Sequence, residues 1–291
     1  MEILGKIIRT LRCQFRRIEY ELAKKINDDW FDHVRFRQSV GYRLNYKNPC
    51  TFNEKLMWLN KYWIPQLKVD CTDKYAIHTY VQSKDLGNIL TPILGVHTDV
   101  EKIDFEFLPN QFALKCTHGC GQNIFCRDKE KLDWDATKKQ IKAWLKIDYS
   151  TVAGERHYHY IQPRVLVEEL ISEIPPMEYQ FWCVHGEPDS CLACRKNIDG
   201  TYDSWSYSLE GHRLWERTSE NKEDIEIPTL YSTMIEYARI LAEPFPFVRI
   251  DFYQINDSIR LAELTFTAGG IILTHYKSAF LERMNNKLHI K

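Results

Sequence analysis

No run of about 18 apolar residues occurs in the 291-residue chain, so no segment reads as a membrane-spanning helix. The first residues scatter charges among their apolar positions and form no compact apolar region, so they do not read as a secretory signal. Neither sign of charge is in excess. Lys and Arg number 39 against 40 Asp and Glu, a formal net charge of -1, which removes the global electrostatic case for nucleic acid. The GxxxxGK[ST] string of a Walker A loop is missing. The nine cysteines are odd in number, and their one CxxC, Cys191 to Cys194, has no second pair to complete a four-ligand zinc site. With no signal and no need for staples in a chain of this size, they read as reduced thiols and the expected location is cytoplasmic. No internal repeat is visible.

What is present is core-forming material. The chain is 44% hydrophobic and 13% aromatic, which excludes disorder and collagen-like order, and its length sets a prior of about two domains. Residues 2–27 repeat Leu4, Ile7, Ile8, Leu11, Phe15, Ile18, Leu22 and Ile26 at the helical period, with Arg9, Arg12, Arg16, Arg17, Lys24 and Lys25 opposite. Such a helix packs its stripe on the body of the protein, or lies peripherally on the anionic inner face of a membrane. Thr51-Phe52-Asn53-Glu54 is a capping box opening a helix through Tyr62. Asp70 to Lys84 reads as one helix, and Ile89 to Val96 as a strand with an edge proline. Residues 111–116 and 123–126 read as short strands, 134–147 as a helix, 148–164 as a polar loop and 165–171 as a strand holding two acids. Three strands over 179–207, a helix over 229–243 and paired strands at 247–255 and 258–266 around Asn256-Asp257 complete an α+β order.

Chemistry concentrates at a few places. Lys115 lies on a strand that leads into a loop holding Gly119 and Gly121, where a point charge and closely approaching backbone N–H groups can hold phosphate. Asp251 and Glu263 sit inside apolar strands, a costly placement unless the acids are paired or metal-bound. Facing each other across an antiparallel pair, they make a hard oxygen site suited to Mg²⁺. Arg249, two residues earlier and on the same strand face, offers the other reading, a structural salt bridge. Glu168 and Glu169 close an apolar strand, where one of them is expected to face solvent. His157-Tyr158-His159 reads as a surface cluster, with a substrate contact as the alternative.

Read in order, Tyr42-Arg43-Leu44, Thr51 to Leu56, Val69 to Lys74, Leu108 to Phe112, Val167 to Ile171, Phe247 to Asp251 and Glu263 to Phe266 resemble the TupA-like ATP-grasp family of polysaccharide and teichuronopeptide biosynthesis proteins over roughly residues 40–275. The resemblance implies an ATP-grasp fold, two α+β subdomains clasping a nucleotide under a mobile central lid. The implied divisions are an N-terminal helical extension (1–40), an N-terminal subdomain (41–89), a lid subdomain (90–166) and a catalytic subdomain (167–291). It further implies that Lys74 and Lys115 hold phosphate oxygens under a lid loop from Gly119 through Gly121 to Gln122. Glu168 would meet the adenine amino group, with the backbone of Glu169 and Ile171 reading the rest of the base. Asp251 and Glu263, with Thr265 as a further ligand, would bind Mg²⁺, and Arg249 would steady the transferring phosphoryl group. Two positions depart from pattern. Thr265 stands where ATP-grasp enzymes usually have Asn, as it does across the TupA-like family, and Gln180 stands where the family often has Lys. The implied function is an ATP- and Mg²⁺-dependent ligase that forms an amide between a sugar carboxylate and an amine or amino acid through an acyl phosphate, in capsular or surface polysaccharide assembly. The alternatives are a glycosyltransferase or kinase of the same pathway, or a non-catalytic nucleotide-binding module.

Overall fold

The structure, a computed structural model, describes residues 28–172, 175–197 and 201–290. The basic stripe of residues 2–27 lies outside the described residues. Two antiparallel sheets organise the rest. The first takes β1 (Ile93–His97), β2 (Phe112–Cys116), β3 (Asn123–Cys126) and β4 (Val165–Glu169) in the order β1-β4-β2-β3. The second takes β5 (Glu178–Val184), β6 (Glu187–Lys196), β7 (Tyr202–Ser208), β8 (Phe247–Ile255) and β9 (Ser258–Thr265) in the order β7-β6-β5-β8-β9.

Strand alternation decides what each face does. In the first sheet Phe112, Leu114, Val165 and Val167 point to a small core shared with Ile141 of helix α5 (Trp134–Trp144). Ala113, Lys115, Leu166 and Glu168 therefore share the other face. In the second sheet Phe181, Ile250 and Leu264 enter the largest core, packed under α3 (Gln66–Thr72), α4 (Ile77–Ser83) and α7 (Tyr231–Ala242). Each such side chain contributes about 1.5–3 kcal/mol by leaving water. The opposite face has its apolar cover at one end. There Trp182, Val184 and Phe247 pack with Phe36 of α1 (Asp28–Val40), Phe52 and Leu56 of α2 (Phe52–Tyr62) and Phe280 of α8 (Ser278–Lys287). The other end of that face carries Gln180, Asp251 and Glu263.

Local sequence accounts for several boundaries. The Thr51 capping box forms with both reciprocal bonds. Pro92 sits beside the edge strand β1, where its missing N–H costs no ladder bond, and its carbonyl accepts from Glu169 N at 3.1 Å. The single helix expected over 70–84 is instead two. Asp73 interrupts it because its carboxylate accepts from Tyr75 N at 2.8 Å and Ala76 N at 3.3 Å, in competition with the helical ladder. The strand expected from Ile89 begins only at Ile93, since residues 87–89 form a 3-10 turn. The stretch 148–164 is no solvated loop. It holds α6 (Ser150–Ala153) and a 3-10 segment over Arg156–Tyr160, and His157 is 1% exposed. The surface reading holds for His159 alone of the two histidines.

Candidate functional site

Lys115 and Glu168 meet because β2 and β4 pair Lys115 with Leu166, which puts Glu168 diagonally beside the lysine on one face. Lys115 Nζ lies 2.5 Å from Glu168 Oε2, yet that oxygen accepts no aligned hydrogen bond among the described residues and is buried. Glu169, its neighbour, is exposed. Glu169 N–H is already used by Pro92, so a base could be read there through its carbonyl only. Ile171 follows two residues beyond the end of β4.

The loop between β2 and β3 is tied to the helical side. Lys74 Nζ donates to Gly119 O at 2.5 Å, and Arg164, at the start of β4, pairs with Asp73 at 2.5 Å. A Cβ at Gly119 would meet Gln122 Oε1 at 2.5 Å, and Gly121 turns the loop at φ +72°. Buried Gln122 Oε1 and His118 Nδ1 accept no hydrogen bond among the described residues. Burial raises the pKa of the Cys120 thiol in this loop, the charge of Glu263 adds to the rise and that of Lys74 opposes it.

On the second sheet, register sets Asp251 opposite both Gln180 and Glu263. Arg249 grips Asp251 with both prongs, Nε to Oδ1 at 2.7 Å and Nη2 to Oδ2 at 2.5 Å. It approaches Glu263 only to 3.6 Å. Thr265 donates to Glu263 Oε1 at 2.8 Å. Gln180 turns aside and donates to Glu178 Oε1 at 3.1 Å. Burial pushes the Asp251 carboxyl well above the usual carboxylate range. Arg249 opposes that shift, and Glu178 and Glu263 add to it.

The salt bridge and the pair of facing acids are thus both present. Three carboxylates around one guanidinium leave the patch negative, and each Asp251 oxygen keeps a lone pair that Arg249 does not use. No third His, Cys, Asp or Glu completes a metal cluster among the described residues. A Mg²⁺ ion held by two carboxylates would have its remaining positions open for phosphate oxygens, which is how that ion prefers to bind. Two facing carboxylates with the Thr265 hydroxyl beside them are therefore a donor set that fits such an ion.

The profile of the TupA-like ATPgrasp family matches residues 54–286. The chain belongs to the TupA-like ATP-grasp family. Its fold is accordingly ATP-grasp. Among solved structures, a D-alanine–D-alanine ligase from Bacillus anthracis complexed with ATP is 15% identical, with 76% of this chain and 67% of that chain covered and a TM-score of 0.47. The Helicobacter pylori D-alanine–D-alanine ligase is 13% identical over 83% and 68%, with a TM-score of 0.45. An L-amino acid ligase from Bacillus licheniformis is 9% identical over 75% and 49%, with a TM-score of 0.47. The assignment rests on the family match rather than on these distant likenesses. No curated protein matches the chain.

Sequence reasoning passed over Glu155, buried beside these residues and hydrogen-bonded to Thr267. Its signal was faint: one acid directly after a glycine, Gly154-Glu155, in a stretch that reads as solvated. It also passed over Arg164, whose tie to Asp73 fastens the start of β4 to the turn between α3 and α4.

Proposed function

We propose that the protein is an ATP- and Mg²⁺-dependent ligase that activates a carboxylate as an acyl phosphate and passes it to an amine, joining a sugar carboxylate such as a uronic acid to an amine or amino acid in surface polysaccharide assembly. The observation that carries this reading is the register that puts Asp251 opposite Glu263 with Arg249 on the same face. Lys74 and Lys115 hold phosphate oxygens, and Glu168 Oε2 accepts from the amino group of the base. Asp251 and Glu263 hold the metal, which when bound neutralises the phosphate charge. Arg249, fixed by Asp251, presents its remaining donor capacity to the phosphoryl group or to the attacking carboxylate. Positioning and charge neutralisation are what phosphoryl transfer needs.

A second reading, a nucleotide-binding module without turnover, is favoured by one observation: the bidentate hold of Arg249 on Asp251, which occupies a lone pair on each oxygen. ADP release from Mg-ATP separates the two. Glucuronate or UDP-glucuronate, added with a mixture of amino acids, should raise ADP release well above the rate with ATP alone. Nucleotide binding with no carboxylate-dependent ADP would leave the module.

A further inference from the structure

Arg217 stands over the Asp251 face of the second sheet without an acid of its own. Its Nη1 donates to Ser204 Oγ at 3.1 Å. Register places Ser204 opposite Cys194, and Cys194 opposite Glu178, two residues from Gln180. Strand alternation therefore puts Ser204 on the face that carries Gln180 and Asp251, and Cys194 Sγ lies 3.9 Å from Gln180 Oε1. Arg217 Nε is buried and has no acceptor among the described residues. The two acids nearest in sequence are engaged elsewhere. Glu216 pairs with Arg283 and accepts from Ser190 Oγ at 3.1 Å. Glu220 accepts from Ser206 Oγ at 2.6 Å and from the Arg217 backbone N–H at 2.6 Å, and pairs with Arg213 at 3.2 Å.

Tyr276 links Arg217 to the end of the face that holds the acids. The chain leaves β9 through three left-handed residues, Gly269 (φ +61°), Gly270 (φ +69°) and Ile271 (φ +81°). It returns over the sheet, where Tyr276 and Arg217 form an isolated antiparallel bridge. The Tyr276 ring packs edge-on against Trp182, with centroids 5.3 Å apart, and Trp182 is the strand partner of Arg249. The Arg217 guanidinium lies 5.8 Å from the same ring. Burial pushes the Tyr276 phenol up, and both Arg249 and Arg217 oppose that shift. Its hydroxyl has no hydrogen-bond partner among the described residues. The face is thus divided by sign. Asp251, Glu263 and Glu178 leave the β8–β9 end negative, while Arg217 leaves the β6–β7 end positive. Guanidinium donors without an acceptor call for an anion. Arg249 leans the other way, to Asp251 and Thr265, and β7 lies three strands from β8, roughly 14 Å at about 4.8 Å per strand. One carboxylate does not span that distance, so the anion at Arg217 is not the one that meets Arg249.

We propose that Arg217 and Tyr276 form a subsite for a second anionic group on the acceptor, a phosphate or a further carboxylate borne by the same molecule as the carboxylate activated beside Arg249. The proposal rests on the ligase reading above and narrows its acceptor from a monoanion to a molecule with two anionic groups. A uronic acid 1-phosphate has this form, since a pyranose holds its C1 and C6 substituents at opposite ends of the ring. A chain of two uronic acids has it too. Arg217 takes the anion on Nε and Nη2, a fork suited to either group, while Nη1 stays on Ser204. The Tyr276 hydroxyl donates to the same anion.

Titration calorimetry with glucuronate, glucuronic acid 1-phosphate and digalacturonate, with and without Mg-ADP, tests this. The wild type should bind at least one of the two larger anions about 10–100-fold more tightly than glucuronate, the scale of hydrogen bonds to a charged group. Which of them it prefers identifies the second anion as phosphate or carboxylate. Arg217→Gln should abolish the advantage and leave Mg-ADP binding unchanged. Tyr276→Phe, which keeps the ring on Trp182, should remove part of it. Arg217→Lys keeps the charge without the fork, should retain only part of the advantage, and serves if Arg217→Gln fails to fold. No advantage over glucuronate in the wild type, or an undiminished advantage in either Arg217 variant, would overturn the proposal. So would Mg-ADP binding that weakens in Arg217→Gln as much as anion binding does, since Arg217 would then belong to the nucleotide site. Preferential binding without carboxylate-dependent ADP release would instead count against the ligase reading and leave the anion subsite standing.

Discussion

Glu263→Gln separates the metal role of the acid pair from its structural role. The side chain is 40% exposed and 3.6 Å from Arg249, so as an ion pair it contributes at most about 1 kcal/mol. The Gln carbonyl can still accept from Thr265, which now lies 2.8 Å from Glu263 Oε1. The expected fall in Tm is therefore no more than about 4 °C. Asp251→Asn is the contrasting case. Asp251 is 0% exposed and bidentate with Arg249, and breaking a buried pair costs about 3–5 kcal/mol, or roughly 6–20 °C in Tm for a chain of this size. Turnover ranks differently. Removing a full negative charge from the metal site should lower Mg-dependent ADP production by about 10²–10³-fold in Glu263→Gln. The assay is melting temperature beside ADP production for both variants. Undiminished ADP production by Glu263→Gln would refute the metal role. A Tm loss in Glu263→Gln as large as in Asp251→Asn would refute the ion-pair geometry.

Mg-ATP should raise the wild-type Tm, and Lys115→Ala should remove most of that shift while also lowering the ligand-free Tm, because Glu168 loses the ammonium 2.5 Å away. Amide exchange over residues 117–123 should slow on adding Mg-ATP; equal protection in both states would count against a lid. Lys68 gives a pH signature. Burial lowers its pKa from the ordinary 10.5 to about 7, against the pull of Glu155. Between those values the unfolded chain binds the extra proton, so stability should rise with pH above 7, and Lys68→Met should flatten that slope in urea unfolding at pH 7 to 9.

The hairpin of β8 and β9 was legible because a two-residue turn, alternation and embedded acids all occur within about twenty residues of sequence. The Thr51 capping box was legible for the same reason, since both its partners lie three residues apart. The break at Asp73 was not, because an aspartate in a helical stretch can leave the ladder intact or compete with it, and here it takes the bonds from Tyr75 N and Ala76 N while Arg164, far along the chain, holds its other oxygen. The residues around Glu155 were misjudged in kind. Arg156-His157-Tyr158-His159 has the composition of a surface, and only the contact with Asn60 on α2 and Thr267 after β9 puts it inside. The order β1-β4-β2-β3 likewise depends on pairings that no local pattern encodes.

Ile271 holds a β-branched side chain at φ +81° and ψ -33°, a conformation costing about 1–3 kcal/mol. It is 1% exposed among Phe52, Trp182, Phe247 and Phe280, and burying such a side chain offsets a penalty of that size. The shape of the loop after β9 is thus moored from below, by aromatic residues of the core. Trimming one of those rings would let the mooring slip and the loop relax, so a substitution deep in the core can reshape the backbone that follows β9. Conversely, an engineer seeking stability would find Ile271→Gly tempting and would lose the anchor that gives the loop its form.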